Sequence, residues 1–140
     1  MKLLRLLALG AVLTLPAFAG TEIKRFKQGD WEDDIGYRQV VRAGNCLYLS
    51  GWAESGAMPD AIRKTYDNLV QQLKAHGLTL KDVVKENIYT TDIEALKANL
   101  PVRRAYYGKD FPAATWVQVV RLYEPDQVIE VELIAVISEK

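Results

Sequence analysis

Two glutamates near the C-terminus, Glu130 and Glu132, flank Val131 within the run Val128 to Ile137. Period-two alternation sets both carboxylates on one side of a strand with Val128, Ile134 and Val136, and sets Ile129, Val131, Leu133, Ala135 and Ile137 on the other. A carboxylate sheltered among apolar side chains holds its proton more tightly and can orient or deprotonate a water molecule. The same group can instead cap a backbone amide or pair across an interface, so two roles are open to Glu130. Other reactive types are sparse. Cys46 sits in the apolar run Cys46-Leu47-Tyr48-Leu49, without the electropositive neighbours a nucleophilic thiol needs, and reads as a small buried apolar residue. His76 immediately precedes a glycine and reads as a partner of helix-terminal carbonyls or water. One histidine, one cysteine and no ligand-spaced cluster point to no metal and no cofactor.

The elements that position these residues follow from hydrophobic period. Residues 21–26 alternate as an edge strand, and residues 29–34 read as an acidic turn. Residues 38–42 and 46–50 form a hairpin across Ala43-Gly44-Asn45. From Pro59 the period lengthens: Ile62, Tyr66, Leu69, Val70 and Leu73 make one helical stripe, closed by Gly77. Residues 83–90 read as a strand, and residues 101–107 as a short helix ended by Gly108. Residues 114–120 and 128–137 are strands. The order βββ-α-β-α-ββ predicts a two-layer α+β domain, a mixed sheet of about six strands with two helices on one face. On the uncovered face, Ala114, Trp116, Gln118 and Val120 are expected beside the glutamates. So much apolar surface predicts an oligomer whose interface shelters carboxylates. Glu132 reads there as structural, paired to a basic residue of a neighbouring subunit.

Residues 1–19 run from Lys2 and Arg5 through an apolar stretch to Pro16 and Ala17-Phe18-Ala19, the order of a Sec-type signal peptide. The expectation is a periplasmic or secreted protein whose mature single domain, residues 20–140, has no membrane association after cleavage. Cleavage removes two of the 18 basic residues and none of the 18 acidic ones, for a net charge of −2. A nucleic-acid surface normally carries a basic excess, so no nucleic-acid partner is expected.

In order and spacing, several short motifs resemble the Rid family, also called YjgF. They are Ile35-Gly36-Tyr37, Gly44-Asn45 followed by an apolar strand ending Ser50-Gly51, and Asp82-Val83-Val84-Lys85 leading to Tyr89-Thr90-Thr91-Asp92. Phe111-Pro112-Ala113 and Ile129-Glu130-Val131-Glu132 complete the set, and the resemblance spans residues 35–137. It implies a chorismate-mutase-like fold, a homotrimer, and a small organic molecule held in an intersubunit cleft. In the RidA branch it implies hydrolysis of reactive imines or enamines to keto compounds and ammonia.

That branch places an arginine directly after Pro-Ala to grip the substrate carboxylate, and here the motif continues with Ala114. Losing a bidentate guanidinium contact should weaken an acid substrate by about 10 to 100-fold. Arg103, Arg104 and Arg121 are the remaining basic residues to weigh near that site. Carried over residue by residue, Tyr37 lines the cleft or simply packs, Ser50 and Gly51 form the strand end beside it, and Glu130 positions the water. Trp52 and Trp116 depart from the smaller or polar residues usual there, and Trp116 has two roles open, interface packing and stacking on a ligand. Two functions therefore compete: an imine or enamine deaminase, and a non-catalytic binding or interaction trimer.

Overall fold

The structure is a computed structural model that describes residues 20–138; the leader assigned to residues 1–19 lies outside the described residues. Six strands are seen among them: β1 (Ile23–Phe26), β2 (Val40–Ala43), β3 (Cys46–Ser55), β4 (Val83–Thr90), β5 (Ala113–Gln118) and β6 (Gln127–Val136). They alternate with α1 (Trp31–Ile35), α2 (Met58–Ala75), α3 (Ile93–Ala98) and α4 (Leu100–Tyr107). The strands form one mixed sheet in the order β1-β2-β3-β6-β4-β5, antiparallel throughout except for the β4–β5 pair. This is the expected α+β architecture.

Alternation in β6 works as read: Ile129, Val131, Leu133 and Ala135 are buried, while Glu130, Glu132, Ile134 and Val136 are only half-buried on the other face. The stripe of α2 closes the core over the first set, with Ile62, Tyr66, Leu69 and Leu73 fully buried. This helix packs across β3 and β6 and against α4, so α2 and α4 are the two helices expected on one face. Pro59 occupies its first turn, and Gly77, at φ 73°, lets the chain leave it.

Two further helices depart from the expected order. The acidic run 29–34 is no turn: Trp31–Ile35 is helical, with Glu32, Asp33 and Asp34 in the turn where acidic side chains suit the helix dipole, and Gly36 at φ 70° caps it. Helix α3 forms where no element was expected, because the Asp92 carboxylate accepts from Ala95 N at 2.8 Å and caps its first turn. The strand expected to end at Ser50 continues to Ser55 through an irregularity between Leu49 and Trp52.

The strand over 114–120 shows the largest change. It ends at Gln118, and its parallel register with β4 sets Ala114 beside Glu86, Trp116 beside Ile88 and Gln118 beside Thr90. Those β4 residues are all fully buried, so Ala114, Trp116 and Gln118 share the helix-covered face and not the face of Glu130. Val120 lies beyond the strand and is fully exposed. Cys46 is half-buried beside Val136 on the open face instead of in the core. His76 packs edge-on against Phe26, ring centroids 4.5 Å apart, and burial lowers its pKa.

Candidate functional site

Tyr37 is positioned by the exit from α1. Gly36 turns the chain, Tyr37 N donates to Glu32 O at 2.8 Å, and the phenol ring then stacks on Trp31 with centroids 5.6 Å apart. Its hydroxyl donates to Gln39 Oε1 at 2.9 Å and lies 3.4 Å from Gly51 O. Gln39 in turn donates through Nε2 to Ser50 O at 3.0 Å. The Ser50 hydroxyl donates to Arg38 O at 2.7 Å and stitches the 37–39 segment to β3, and Ser50 lines a separate pocket with Glu132 and not the cavity of Glu130.

Glu130 enters from β6, paired in register with Ala53 on one side and Tyr89 on the other. Its carboxylate lies directly over Gly51: a Cβ built on that residue would come 2.6 Å from Glu130 Cδ, well inside any real contact. The irregularity in β3 and the missing side chain at Gly51 together make room for the acid. Burial pushes the Glu130 pKa up, and the neighbouring Glu132 charge adds to it; no side-chain hydrogen bond offsets either effect. Glu132 differs. It accepts from Asn87 Nδ2 at 2.5 Å and from Tyr89 Oη at 3.2 Å, two neutral partners within its own subunit.

Tyr37, Gly51, Trp52 and Glu130 line one cavity of about 570 Å³ under α1. Trp31, Ile35 and Tyr123 complete its apolar wall, and Gln28, Gln39 and Gln127 supply amides. Trp52 shares the core side of the sheet with its partner Val131 while its Nε1 donates to Glu54 Oε1 at 3.0 Å. Burial raises the Tyr37 pKa, with the Glu130 charge contributing, so the phenol stays a neutral donor beside the acid. Such a site can hold a small, partly aromatic molecule and present water or a polarised double bond to one carboxylate.

Ala114 and Trp116 are not part of this cavity within the subunit. They line a second pocket of about 290 Å³ with Arg103, Arg104, Phe111 and Pro112. Trp116 donates through Nε1 to Glu86 Oε1 at 3.2 Å, and the Arg103 guanidinium lies 5.0 Å from its ring. Arg103 is only 3% exposed and gives both Nε and Nη2 to Glu86 Oε1 at 2.8 Å. Tyr66 and Tyr107 donate to the other oxygen at 2.5 and 2.8 Å. Arg121 lies in the loop after β5 and donates to Tyr123 O at 3.0 Å.

Sequence reasoning missed this Glu86 network and the cavity wall formed by Trp31 and Gln39. The network pairs positions 17 to 30 residues apart, which no periodicity reveals. Trp31 was discoverable only by reading 31–35 as a helix.

With this geometry in hand, comparison with known proteins is informative. The family model described as Endoribonuclease L-PSP matches residues 32–137. A RutC family protein of Pyrococcus horikoshii is 32% identical over 108 residues, covering 71% of this chain and 85% of the relative. The 2-iminobutanoate/2-iminopropanoate deaminase of Escherichia coli is 31% identical over 111 residues, covering 71% of this chain and 86% of the relative. Among solved structures, a member of the YjgF/YER057c/UK114 family from Mycobacterium tuberculosis superposes with a TM-score of 0.75 at 29% identity, over 83% of this chain and all of that one. The YjgF gene product of Escherichia coli gives 0.65 at 31% identity, over 71% of this chain and 87% of that one. The motifs from Tyr37 to Glu132, the six-stranded sheet and these matches agree, and the chain belongs to the Rid, or YjgF, family.

Proposed function

We propose that this protein is an exported Rid-family deaminase that hydrolyses reactive imines or enamines, and that its site is completed in a homotrimer. The observation that carries the reading is Glu130: a half-buried carboxylate of raised pKa, held over Gly51 in an aromatic cavity, with no side-chain hydrogen-bond partner among the described residues. A base whose pKa is lifted toward the working pH is the kind that can take a proton from water and return it. In the step envisaged, the water oxygen bonds to the C=N carbon while Glu130 takes its proton. That proton passes to nitrogen, Glu130 then takes the hydroxyl proton of the carbinolamine and delivers it to nitrogen as the C–N bond breaks, and a carbonyl compound and ammonia leave. Tyr37, neutral and adjacent, can donate to the developing oxygen or nitrogen.

Of the activities in the relatives' names, imine deamination suits this cavity better than cleavage of RNA. A polyanion would meet Glu130 and, among the described lining residues, no lysine, arginine or histidine. The trimer is supported by the open sheet face, where Tyr48 and Val117 are exposed and Ile134 and Val136 half-buried. Export is supported by the order of residues 1–19. A purified sample incubated with imines generated in place by amino-acid and amine oxidases should speed their decay. Decay no faster than in buffer across aliphatic and aromatic imines would remove the enzyme and leave the second reading, a small-molecule-binding trimer. Ala114 at the place of the branch's arginine is what favours that second reading.

A further inference from the structure

The cavity under α1 has one formal charge among its described lining residues, the Glu130 carboxylate; its other walls are aromatic, amide or aliphatic. Two guanidinium groups next to the site residues are already engaged, and Arg121 reaches the cavity wall only through its bond to Tyr123 O. Arg38 follows Tyr37 but turns to the Asp33 carboxylate and, at 2.6 Å, to Tyr37 O. Arg103 shares the pocket of Ala114 but gives Nε and Nη2 to the buried Glu86. A substrate carboxylate entering here would face Glu130 with no cationic side chain among the described lining residues of its own subunit to balance it, in a site where partial burial strengthens repulsion. A protonated nitrogen would meet the opposite: an unpartnered carboxylate and the electron-rich faces of Trp31 and Tyr37, stacked 5.6 Å apart.

Resting on the deaminase reading above, we propose that the substrates are imines without a carboxylate, iminium ions derived from primary amines with aromatic or apolar tails. The iminium nitrogen lies against Glu130 and the tail against the Trp31–Tyr37 wall. The reaction balances as R–CH=NH2+ plus H2O giving R–CHO plus NH4+. Water oxygen bonds to carbon as Glu130 takes one of its protons and relays it to nitrogen; as the C–N bond breaks Glu130 takes the remaining hydroxyl proton and returns it to the leaving ammonia, so the aldehyde and ammonium depart with no oxidant or reductant consumed. Such substrates arise from amine oxidation, the class of reaction that must supply this protein.

The test uses protein expressed from the full chain with its own leader. Tryptophan fluorescence is titrated with 2-phenylethylamine, L-phenylalanine and phenylacetate at neutral pH. The amine should bind at least about 10-fold more tightly than either carboxylated probe, as expected for loss of a charge-assisted contact. Glu130→Gln, checked for folding by circular dichroism, should erase that preference, and Trp31→Ala should weaken binding of the amine. Equal or tighter binding of the carboxylated probes, no binding of any probe, or a preference that survives Glu130→Gln would overturn the proposal. Imines made in place from 2-phenylethylamine and from L-phenylalanine then separate the two readings. Preferential hydrolysis of the carboxylate-free imine supports both, and preferential hydrolysis of the imino acid overturns the substrate class alone. Selective amine binding without acceleration of either imine overturns the deaminase and supports the cation-binding class.

Discussion

Glu130 and Gly51 act as one device, because the carboxylate occupies the space a side chain at position 51 would need. Gly51→Ala should therefore push Glu130 out of place, lowering kcat/KM by about 100-fold and stability by about 1–3 kcal/mol, the usual range for overpacking. Steady-state kinetics alongside thermal unfolding checks it, and an alanine variant with unchanged kinetics would contradict the geometry. The raised Glu130 pKa fixes the sign of two pH effects. Activity that needs the carboxylate should fall as pH drops through a value above its ordinary 4.5, and Glu132→Gln should move that limb to lower pH by removing a like charge. Folded protein also binds more protons than unfolded between 4.5 and the raised value, so stability falls as pH rises across that window. At neutral pH Glu130→Gln should thus be the more stable protein, a comparison that thermal melts at several pH values can decide.

At the scale of elements, the Glu86 carboxylate ties four of them together. It sits on β4 and receives Tyr66 from α2, Tyr107 and Arg103 from α4, and Trp116 from β5. Burial and this charge hold the Tyr66 and Tyr107 hydroxyls protonated, well above their ordinary range. Glu86→Gln leaves Arg103 buried without its counter-ion and should cost about 3–5 kcal/mol, whereas replacing both by apolar residues, Glu86→Leu with Arg103→Met, should cost much less. Chemical denaturation of the single and double variants tests this, and equal losses would contradict it. The same network explains why Trp116 was misplaced by sequence reasoning. Alternation within a strand shows which residues share a side, as Ile129, Val131 and Leu133 do, but the side itself is set by pairing with a neighbour. For β6 the helix-facing side was evident from its aliphatic run, while β5 takes its side from its register with Ile88 and the buried glutamate. Helix α1 was hidden for a related reason: an acidic run before glycine reads as a turn until the burial of Glu32 is known.

The whole molecule presents a sheet with one face closed by α2 and α4 and the other open, where Tyr48, Val117 and Ile134 accompany Glu130 and Glu132. That open face and the separation of Ala114 from the Glu130 cavity suit an assembly in which one subunit's β5 edge approaches another's cavity. On the proposed trimer, Val117→Asp should shift the protein toward monomer in light scattering and lower any hydrolysis with it. A variant that stays trimeric would show that another surface makes the assembly. The mixed six-stranded α+β architecture, the buried side of β6 and the Tyr37–Gly51–Glu130 group follow from short-range patterns and a resemblance. In the proposed assembly Ala114 would meet another subunit, which leaves no such trace in one chain. The most direct measurement of the central claim is the rate of carbonyl and ammonia release from an imine generated in place, for the parent protein and Glu130→Gln at equal ligand occupancy. A parent rate clearly above buffer that falls by at least about 100-fold in the variant, with binding of a neutral ligand retained, is the expected result. A variant that hydrolyses the imine as fast as the parent would contradict it.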